Sequence, residues 1–176
     1  MKDKRILVAY FSRTGEQYGV GTVAKGNTAI VAETIAKATG GTLFEIKPAK
    51  DVYPMAYDAL IAMAKEEKKA QARPALEKPV DNFADYDVVF LGYPNWWGEA
   101  PMLLYTFCEQ HDFTGKVLVP FVTHEGSGMG GTERKLCKAA GSPAMAEGYA
   151  VYGHTAQREP ETLRAQVAAW LARLDS

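Results

Sequence analysis

Cysteine is scarce in this sequence, whose 176 residues include only Cys108 and Cys137. Two cysteines outside a C-x-x-C pair cannot build a disulfide framework and are typical of small buried side chains. No stretch reaches the roughly 18 consecutive apolar residues of a membrane span, and no signal-peptide core follows the basic start. The sequence therefore predicts a cytoplasmic protein that does not act at a membrane.

An excess of charge of one sign is absent as well. Lys and Arg total 20 and Asp and Glu total 21, so the net charge at pH 7 is −1. This balance gives no support to nucleic-acid binding or to a polybasic membrane contact. It also leaves little room for a strongly acidic surface that docks on partner proteins.

The composition is that of a folded protein. Hydrophobic residues make up 47% and charged residues 23% of the chain, which argues against disorder. A chain of this length can bury about 70% of its surface, enough for a core without disulfides or metals. Because neither a linker nor an internal repeat interrupts the sequence, residues 1–176 are expected to form a single domain.

Short apolar segments alternate with amphipathic segments along the whole chain. Nearly continuous apolar segments predict strands buried on both faces, here at 6–11, 42–46, 86–93, 116–123 and 149–152. Amphipathic spacing predicts helices at 27–39, with Asn27 as N-cap, and at 55–70, 101–110, 131–140 and 160–174. Regular alternation of this kind predicts an α/β fold with a parallel sheet and helices on both faces.

Ligands of parallel sheets bind beyond the C-terminal ends of the strands, so the loops after the first, third and fourth predicted strands are the candidate ligand site. The first loop carries Ser12 and Thr14 and enters a helix through Asn27 and Thr28. Hydroxyls and free N–H groups at a helix N-terminus favour a phosphate. The segment 21–28 resembles a P-loop without its lysine, which favours a single phosphate over a nucleoside triphosphate. A Ser/Thr-rich helix cap without a ligand is the alternative.

The second and third loops are aromatic and glycine-rich, respectively. Trp96 and Trp97 stand between two prolines, and at least one of them is expected to face a ligand. The alternative places one Trp beneath the loop and the other over a helix. In the third loop, the glycines of 126–131 match G-x-G-x-x-G but follow the fourth strand rather than the first. The simpler interpretation is a backbone that approaches a planar ligand closely. Together the three loops predict a phosphorylated planar ligand, for which flavin mononucleotide (FMN) is suitable.

These motifs resemble those of the flavodoxin superfamily, and the resemblance spans nearly the whole chain. Residues 12–15, continued by 26–28, resemble that family's phosphate loop T/S-x-T-G-N-T. Residues 90–98 resemble the loop that holds the isoalloxazine ring, and residues 123–128 the loop on its other side. The resemblance implies a flavodoxin-like three-layer sandwich with a five-stranded parallel sheet of order 2-1-3-4-5, and FMN as cofactor.

The resemblance also implies a set of site residues. The phosphate would be bound by Ser12, Thr14, Asn27 and Thr28. The ring would be framed by Pro94, Asn95, Trp96, Trp97, Gly98, Thr123, His124, Glu125, Gly126, Ser127 and Gly128. This chain departs from the pattern by an insertion from Glu16 to Gly26, which makes Arg13, Tyr18 and Lys25 either further phosphate contacts or part of a lid. For Arg13 and Lys25, a solvated surface role is a further alternative. No metal site and no catalytic residue is assigned.

His124 has two interpretations at this stage: it supplies a proton or a hydrogen bond to the flavin, or it anchors its own loop.

Two functional classes follow from the resemblance. The first is an FMN-dependent oxidoreductase that takes reducing equivalents from NAD(P)H or a reductase and passes them to a small quinone-like acceptor. The second is a non-catalytic electron carrier that docks on redox partner proteins. A third class, a receiver that accepts a phosphoryl group, needs an acidic cluster near the first strand, and residues 10–13 contain no carboxylate. The Trp96–Trp97 pair also raises the hypothesis of a homodimer.

Overall fold

The computed structural model describes residues 3–175. Its strands are β1 (Ile6–Tyr10), β2 (Gly15–Gln17), β3 (Gly21–Val23), β4 (Thr42–Glu45), β5 (Val88–Pro94), β6 (Val117–His124), β7 (Ala144–Met145) and β8 (Tyr149–Tyr152). Its α-helices are α1 (Asn27–Thr39), α2 (Tyr57–Lys69), α3 (Met102–Gln110), α4 (Thr132–Ala139), α5 (Gly153–Arg158) and α6 (Pro160–Leu174), and a 3₁₀ turn spans Phe83–Asp85. Each predicted helix and strand matches one of these elements with small shifts at its ends.

The central sheet has the order β4-β1-β5-β6, and β6 pairs with both β7 and β8 at the far edge. All of these pairings are parallel. The predicted order 2-1-3-4-5 is confirmed, but the fifth position holds two short strands instead of one. β7 lies beside Val117 and Leu118, whereas β8 lies beside 121–124. The sequence did not indicate β7 because its two residues are exposed and leave no apolar pattern.

The sheet separates two hydrophobic cores. Leu7 and Ala9 of β1 pack in the core beneath α2, α3 and α4, and Val8 and Tyr10 pack in the core beneath α1 and α6. This alternation follows from the two-residue period of a strand, which sends successive side chains to opposite faces. Since both faces of the strand are buried, its sequence is continuously apolar, and the three-layer prediction is confirmed.

The start of α1 differs from the prediction. Gly26, rather than Asn27, is the N-cap residue, and it makes no side-chain capping bond. Ser12 from the preceding loop supplies the cap instead, because its hydroxyl oxygen accepts a hydrogen bond from the backbone N–H of Ala29 at 3.1 Å. A Cβ at position 26 would lie 2.1 Å from Ser12 Oγ and 2.3 Å from the Arg13 carbonyl oxygen, so only glycine fits this close approach.

Helix α5 and the structure of the insertion also go beyond the prediction. The insertion from Glu16 to Gly26 contains most of a two-stranded antiparallel hairpin made of β2 and β3.

Within residues 3–175, none of the helices combines the length and apolar character needed to cross a membrane.

The two cysteines are packed side chains. Cys108 on α3 is buried and Cys137 on α4 is half-buried. Burial raises the pKa of both thiols, which keeps them protonated at neutral pH. This agrees with their interpretation as small buried side chains.

Candidate functional site

A cleft opens at the C-terminal edge of the sheet, where the loops after β1, β5 and β6 meet; we call it the strand-end cleft. Of the predicted site residues, its walls contain Arg13, Asn27, Pro94, Asn95, Trp96, Trp97, Gly98, Thr123, His124, Glu125 and Ser127. Its walls also contain Tyr18 of the insertion, and three residues that the sequence did not indicate: Gln17, Tyr57 and Leu60. The predicted residues that do not line it are Ser12, Thr14, Thr28, Gly126 and Gly128.

The predicted phosphate residues fall into two groups. Ser12 and Asn27 lie at the N-terminus of α1, where the first N–H groups of a helix have no intrahelical partner. The hydroxyl of Thr28 is instead buried and hydrogen-bonded to the hydroxyl of Thr123 at 2.8 Å. Thr14 is exposed, with its hydroxyl 3.9 Å from the sulfur of Met55.

Arg13 joins the hairpin to the segment before α2. Its guanidinium donates to the carbonyl oxygens of Glu16 and Met55, each at 2.7 Å, and to that of Pro54. Burial lowers the pKa of Arg13, but a guanidinium titrates so far above neutrality that it stays charged. The Glu16 carboxylate in turn accepts the backbone N–H of Tyr57 at 2.8 Å. The geometry therefore favours a role for Arg13 in holding the hairpin.

The other flank of the insertion is joined to α5. Arg158 donates to the carbonyl oxygen of Val20 at 2.9 Å. Gln157 donates to the carbonyl oxygen of Lys25 at 2.7 Å and to the side-chain oxygen of Asn27 at 2.9 Å. The ammonium of Lys25 pairs with Glu33 at 2.7 Å, in an exposed position on α1. The insertion is thus anchored on both sides of the strand-end cleft.

The two tryptophans have different environments. Trp96 is buried, with its ring 5.4 Å from that of Phe11 and 5.3 Å from that of Tyr53, in edge-to-face contacts. Trp97 is 57% exposed, and the ammonium of Lys65 on α2 lies 3.8 Å from its ring centre. One tryptophan is therefore wedged beneath the loop, and the other presents a flat face at the cleft.

A tight turn exposes Trp97. Trp96 and Glu99 exchange backbone hydrogen bonds of 2.9 and 3.1 Å, and Trp97 takes a left-handed φ of 56°. A bulky residue rarely adopts this conformation, which often marks a functional position. The turn is tied to α4 and α3 because the buried Glu99 carboxylate accepts from Lys135 of α4 at 2.7 Å and from Tyr105 of α3 at 2.8 Å. Burial by itself would raise the pKa of Glu99, but these bonds outweigh it and lower the pKa.

His124 and Glu125 are held by different partners. The backbone N–H of Gly126 donates to Nδ1 of His124 at 2.8 Å, so the neutral ring carries its proton on Nε2. Burial lowers the pKa of His124; Glu125 raises it and His154 lowers it further. The Glu125 carboxylate accepts both the backbone N–H of His154 at 2.8 Å and its Nδ1–H at 2.9 Å. At neutral pH His124 is therefore a neutral hydrogen-bond donor through Nε2–H that also anchors its own loop.

The residues that sequence analysis missed come from two places. Gln17 belongs to the insertion, and Tyr57 and Leu60 belong to α2, which follows none of the three loops. His154 was missed because α5 is a single short helix with no clear apolar period. Among residues 3–175, no cluster of His, Cys, Asp or Glu side chains is arranged to hold a metal ion.

The sequence matches the flavodoxin family profile over residues 5–170. This chain belongs to the flavodoxin family. None of the curated proteins has a sequence that matches it. Among solved structures, a Bacteroides eggerthii protein assigned provisionally as a flavoprotein is 33% identical, with a TM-score of 0.73 over 95% of this chain and 98% of its own.

Other solved structures support the same assignment. A second provisionally assigned flavoprotein, from Bacteroides uniformis, is 30% identical to this flavodoxin-family chain. Its TM-score is 0.74 over 95% of this chain and 99% of its own. A Lactobacillus acidophilus flavoprotein solved in complex with FMN is 18% identical, with a TM-score of 0.62 over 90% of this chain and 99% of its own. At 18% identity, the similarity to the L. acidophilus protein shows a shared fold only.

Proposed function

We propose that this flavodoxin-family protein binds FMN, with the ring in the strand-end cleft and the phosphate at the adjoining N-terminus of α1, and passes reducing equivalents through it to a quinone-like or protein acceptor. The proposal is carried by one observation: an aromatic turn, a glycine-rich loop and a helix N-terminus meet at a single cleft. The L. acidophilus flavoprotein, which shares the fold, was solved with FMN. FMN has a flat ring that can bind between the loops after β5 and β6, and a phosphate that can bind at the N-terminus of α1.

The phosphate would be bound by neutral donors. Ser12 Oγ accepts the N–H of Ala29 and keeps its own hydroxyl proton, which it can donate to an anion. The N–H groups at the start of α1 and the positive end of the helix dipole add to this site. Arg13 and Lys25, the two cations considered for the phosphate, are engaged by backbone carbonyls and by Glu33.

The ring would lie between the two loops. Gly126 and Gly128 flank Ser127, which lines the cleft; their φ values of 118° and 60° are left-handed, and a Cβ on either would meet no atom within 4 Å. Their surface is therefore open backbone, against which a flat ring can pack closely. On the other wall the exposed face of Trp97 offers stacking. His124 Nε2–H would donate a hydrogen bond to an acceptor atom at the edge of the ring.

Bound FMN supplies reversible uptake of a hydride or of single electrons. The chain's own part is to bind the cofactor, exclude water from it and control access, and it needs no nucleophile for this. We infer that the protein is an oxidoreductase with NAD(P)H or a reductase as electron donor. Its fold is shared by a chain named as an NADH:FMN oxidoreductase, at 12% identity and a TM-score of 0.50 over 93% of this chain.

A non-catalytic electron carrier is the second candidate. The observation in its favour is that Tyr18, Met55 and Trp97 are exposed beside the cleft, where a partner protein can dock. The net charge of −1 weighs against an acidic docking face of the kind that the family resemblance implies for carriers. A homodimer through this surface stays a prediction that analytical ultracentrifugation can test.

The first experiment is a titration of the purified protein with FMN and with riboflavin, which lacks the phosphate. We expect stoichiometric quenching of FMN fluorescence and weaker binding of riboflavin. Ser12→Ala should weaken FMN binding about tenfold, the value of one hydrogen bond to a charged group, and should affect riboflavin little. If neither flavin binds at micromolar concentration, the proposal is wrong.

A second assay separates the enzyme from the carrier. Steady-state oxidation of NADH or NADPH in the presence of a quinone, without an added reductase, is expected for an oxidoreductase. A protein that binds FMN but is reduced only when a reductase is added would be a carrier.

A further inference from the structure

The hairpin brings two aromatic rings to the mouth of the strand-end cleft. Tyr18, in the turn between β2 and β3, is 64% exposed, and its ring lies 5.6 Å from that of Tyr57 at the start of α2, tilted by 34°. Both rings line the cleft together with Trp97. Neither Tyr belongs to the loops that are proposed to hold the flavin.

The position of Tyr18 is set by the contacts of its hairpin. On one side, Glu16 accepts the N–H of Tyr57 at 2.8 Å and donates its own N–H to the carbonyl oxygen of Met55 at 3.0 Å. On the other side, Val20 accepts from Arg158 at 2.9 Å. These bonds hold the hairpin, so the ring of Tyr18 does not need to be buried to be positioned. An exposed aromatic face that is held in this way is available to bind a ligand.

The charged side chains that line the cleft are already engaged, so they offer no free partner to a charged electron acceptor. Arg13 and Glu125, the lining side chains that carry full charges, are both engaged: Arg13 by backbone carbonyls and Glu125 by the two N–H groups of His154. Lys65 at the rim lies over the ring of Trp97. An anionic or cationic ligand would therefore have to break an existing contact to gain a charged partner.

We propose that Tyr18 and Tyr57 form the binding site for the electron acceptor, and that this acceptor is a neutral, planar aromatic molecule such as a quinone. This inference rests on the proposed function, because the acceptor receives its electrons from the bound cofactor. In the reaction the quinone gains two electrons and two protons and becomes a hydroquinone. The two electrons and one proton come as hydride from a dihydronicotinamide such as NADH, and the second proton comes from solvent. The anchored hairpin holds the ring of Tyr18 at the wall of a cleft, where a flat molecule can reach it.

The test measures binding and turnover separately in the FMN-loaded protein. The dissociation constant of 2-methyl-1,4-naphthoquinone for the oxidised protein is measured by calorimetry, and its reduction with NADH is followed by absorbance. Tyr18→Ala should weaken quinone binding about three- to tenfold and raise KM by a similar factor, the value of one aromatic contact. Tyr18→Phe should keep binding within about twofold, because the ring rather than the hydroxyl makes the contact.

Two further variants control for the hairpin itself. Thr22→Ala changes an exposed residue of β3 that does not line the cleft and should leave both constants unchanged. If Tyr18→Ala folds poorly, Tyr18→Leu replaces it, because leucine keeps an apolar side chain but has no flat ring. Tyr18→Leu should then show the weaker quinone binding and the higher KM expected for the Ala variant.

The outcomes are distinguishable. If Tyr18→Ala loses FMN affinity by the same factor as quinone affinity, Tyr18 belongs to the cofactor site and this inference is overturned while FMN binding stands. This inference is also overturned, while FMN binding stands, if the FMN-loaded protein binds no quinone at millimolar concentration or reduces only a partner protein. If the wild-type protein binds no FMN, both the proposed function and this inference fail.

Discussion

Asn95 sets the spacing between the two loops that flank the proposed ring site. Its backbone N–H donates to the carbonyl oxygen of Thr123 at 2.9 Å. Its side-chain amide donates to the carbonyl oxygen of Gly128 at 3.0 Å and accepts from Gly98 N–H at 2.8 Å. One residue therefore fixes the loop after β5 against the loop after β6.

Replacement of His124 tests the hydrogen-bond donor at the ring. His124→Phe keeps a ring against Tyr152, whose centre lies 4.5 Å away, but removes Nε2–H. We expect FMN affinity to fall about fivefold to tenfold, the value of one hydrogen bond. His124→Gln, which retains an N–H donor, should recover part of that loss. Fluorescence titration measures both.

The same residue predicts a pH dependence. Because the pKa of His124 is lowered, the neutral donor is present at pH 7 and above. Protonation at lower pH places a proton on Nδ1 and breaks its bond from Gly126 N–H. FMN affinity should therefore be flat from pH 7 to 8 and decline in acid. If His124→Phe has wild-type affinity at every pH, the residue only anchors its loop.

At the scale of elements, the hairpin depends on long-range hydrogen bonds more than on its own short strands. A two-stranded hairpin is marginal by itself in water, and β2 and β3 have few buried side chains. Arg13 and Arg158 stabilise the hairpin by donating hydrogen bonds to its backbone carbonyls, one from each side. This explains how an inserted segment keeps a defined position at the wall of the cleft.

Arg13→Gln tests this account of the hairpin. The substitution removes the bonds to the carbonyls of Glu16, Pro54 and Met55, so amides of residues 15–23 should exchange faster with solvent. We expect a loss of about 1–3 kcal/mol in unfolding free energy, since this charged group is only half-exposed. Hydrogen exchange and urea unfolding provide the measurements.

Lys25→Gln is the matched control for Arg13→Gln. It removes a cation from the same insertion, but one whose pair with Glu33 is exposed and should contribute less than about 1 kcal/mol. Equal exchange rates in the two variants would show that the Arg13 bonds do not hold the hairpin.

At the scale of the whole molecule, a buried histidine makes stability depend on pH. His111 donates from Nδ1 to the carbonyl oxygen of Phe107 at 2.8 Å and accepts the N–H of Val80 at Nε2 at 3.1 Å, so it is neutral. Burial lowers its pKa, against a smaller opposite effect of the Phe107 bond. Between this lowered pKa and the ordinary value of about 6.5, the unfolded chain binds more protons than the folded one.

The folded protein should therefore lose stability as the pH falls from about 6.5 towards the lowered pKa of His111, with that contribution fully present above 6.5. Urea unfolding from pH 8 to 5 measures the slope. His111→Gln should be less stable at pH 8 but should show a shallower decline in acid. A slope identical to wild type would assign the decline to other groups, of which His124 is the first to examine.

Much of the fold was predictable because it is encoded locally. Buried parallel strands need apolar side chains on both faces, so Ile6–Tyr10 and Val88–Pro94 were visible as apolar runs. Their order followed from the family resemblance. The split edge beside β6 was not predictable, because β7 is short and exposed and depends only on its pairing with Val117 and Leu118.

The candidate site was predictable to a smaller extent. The aromatic and glycine-rich loops follow recognisable strands, so their position at one edge of the sheet was expected. The partners of individual residues were not, because each lies far away along the chain: Thr28 pairs with Thr123, and Glu125 pairs with His154. The Thr28 hydroxyl bonds to the Thr123 hydroxyl because α1 packs against β6, and the sequence does not show that packing.

Local patterns of apolar, aromatic and glycine residues were enough to predict the class of fold, the sequence of elements along the chain and the three loops. The bonds of Arg13 to the hairpin, the burial of Trp96 beside an exposed Trp97, and the place of Tyr18 at the mouth of the cleft became known from the folded structure. Burial and long-range hydrogen bonds depend on which segments meet in space. Neighbours along the chain do not encode that.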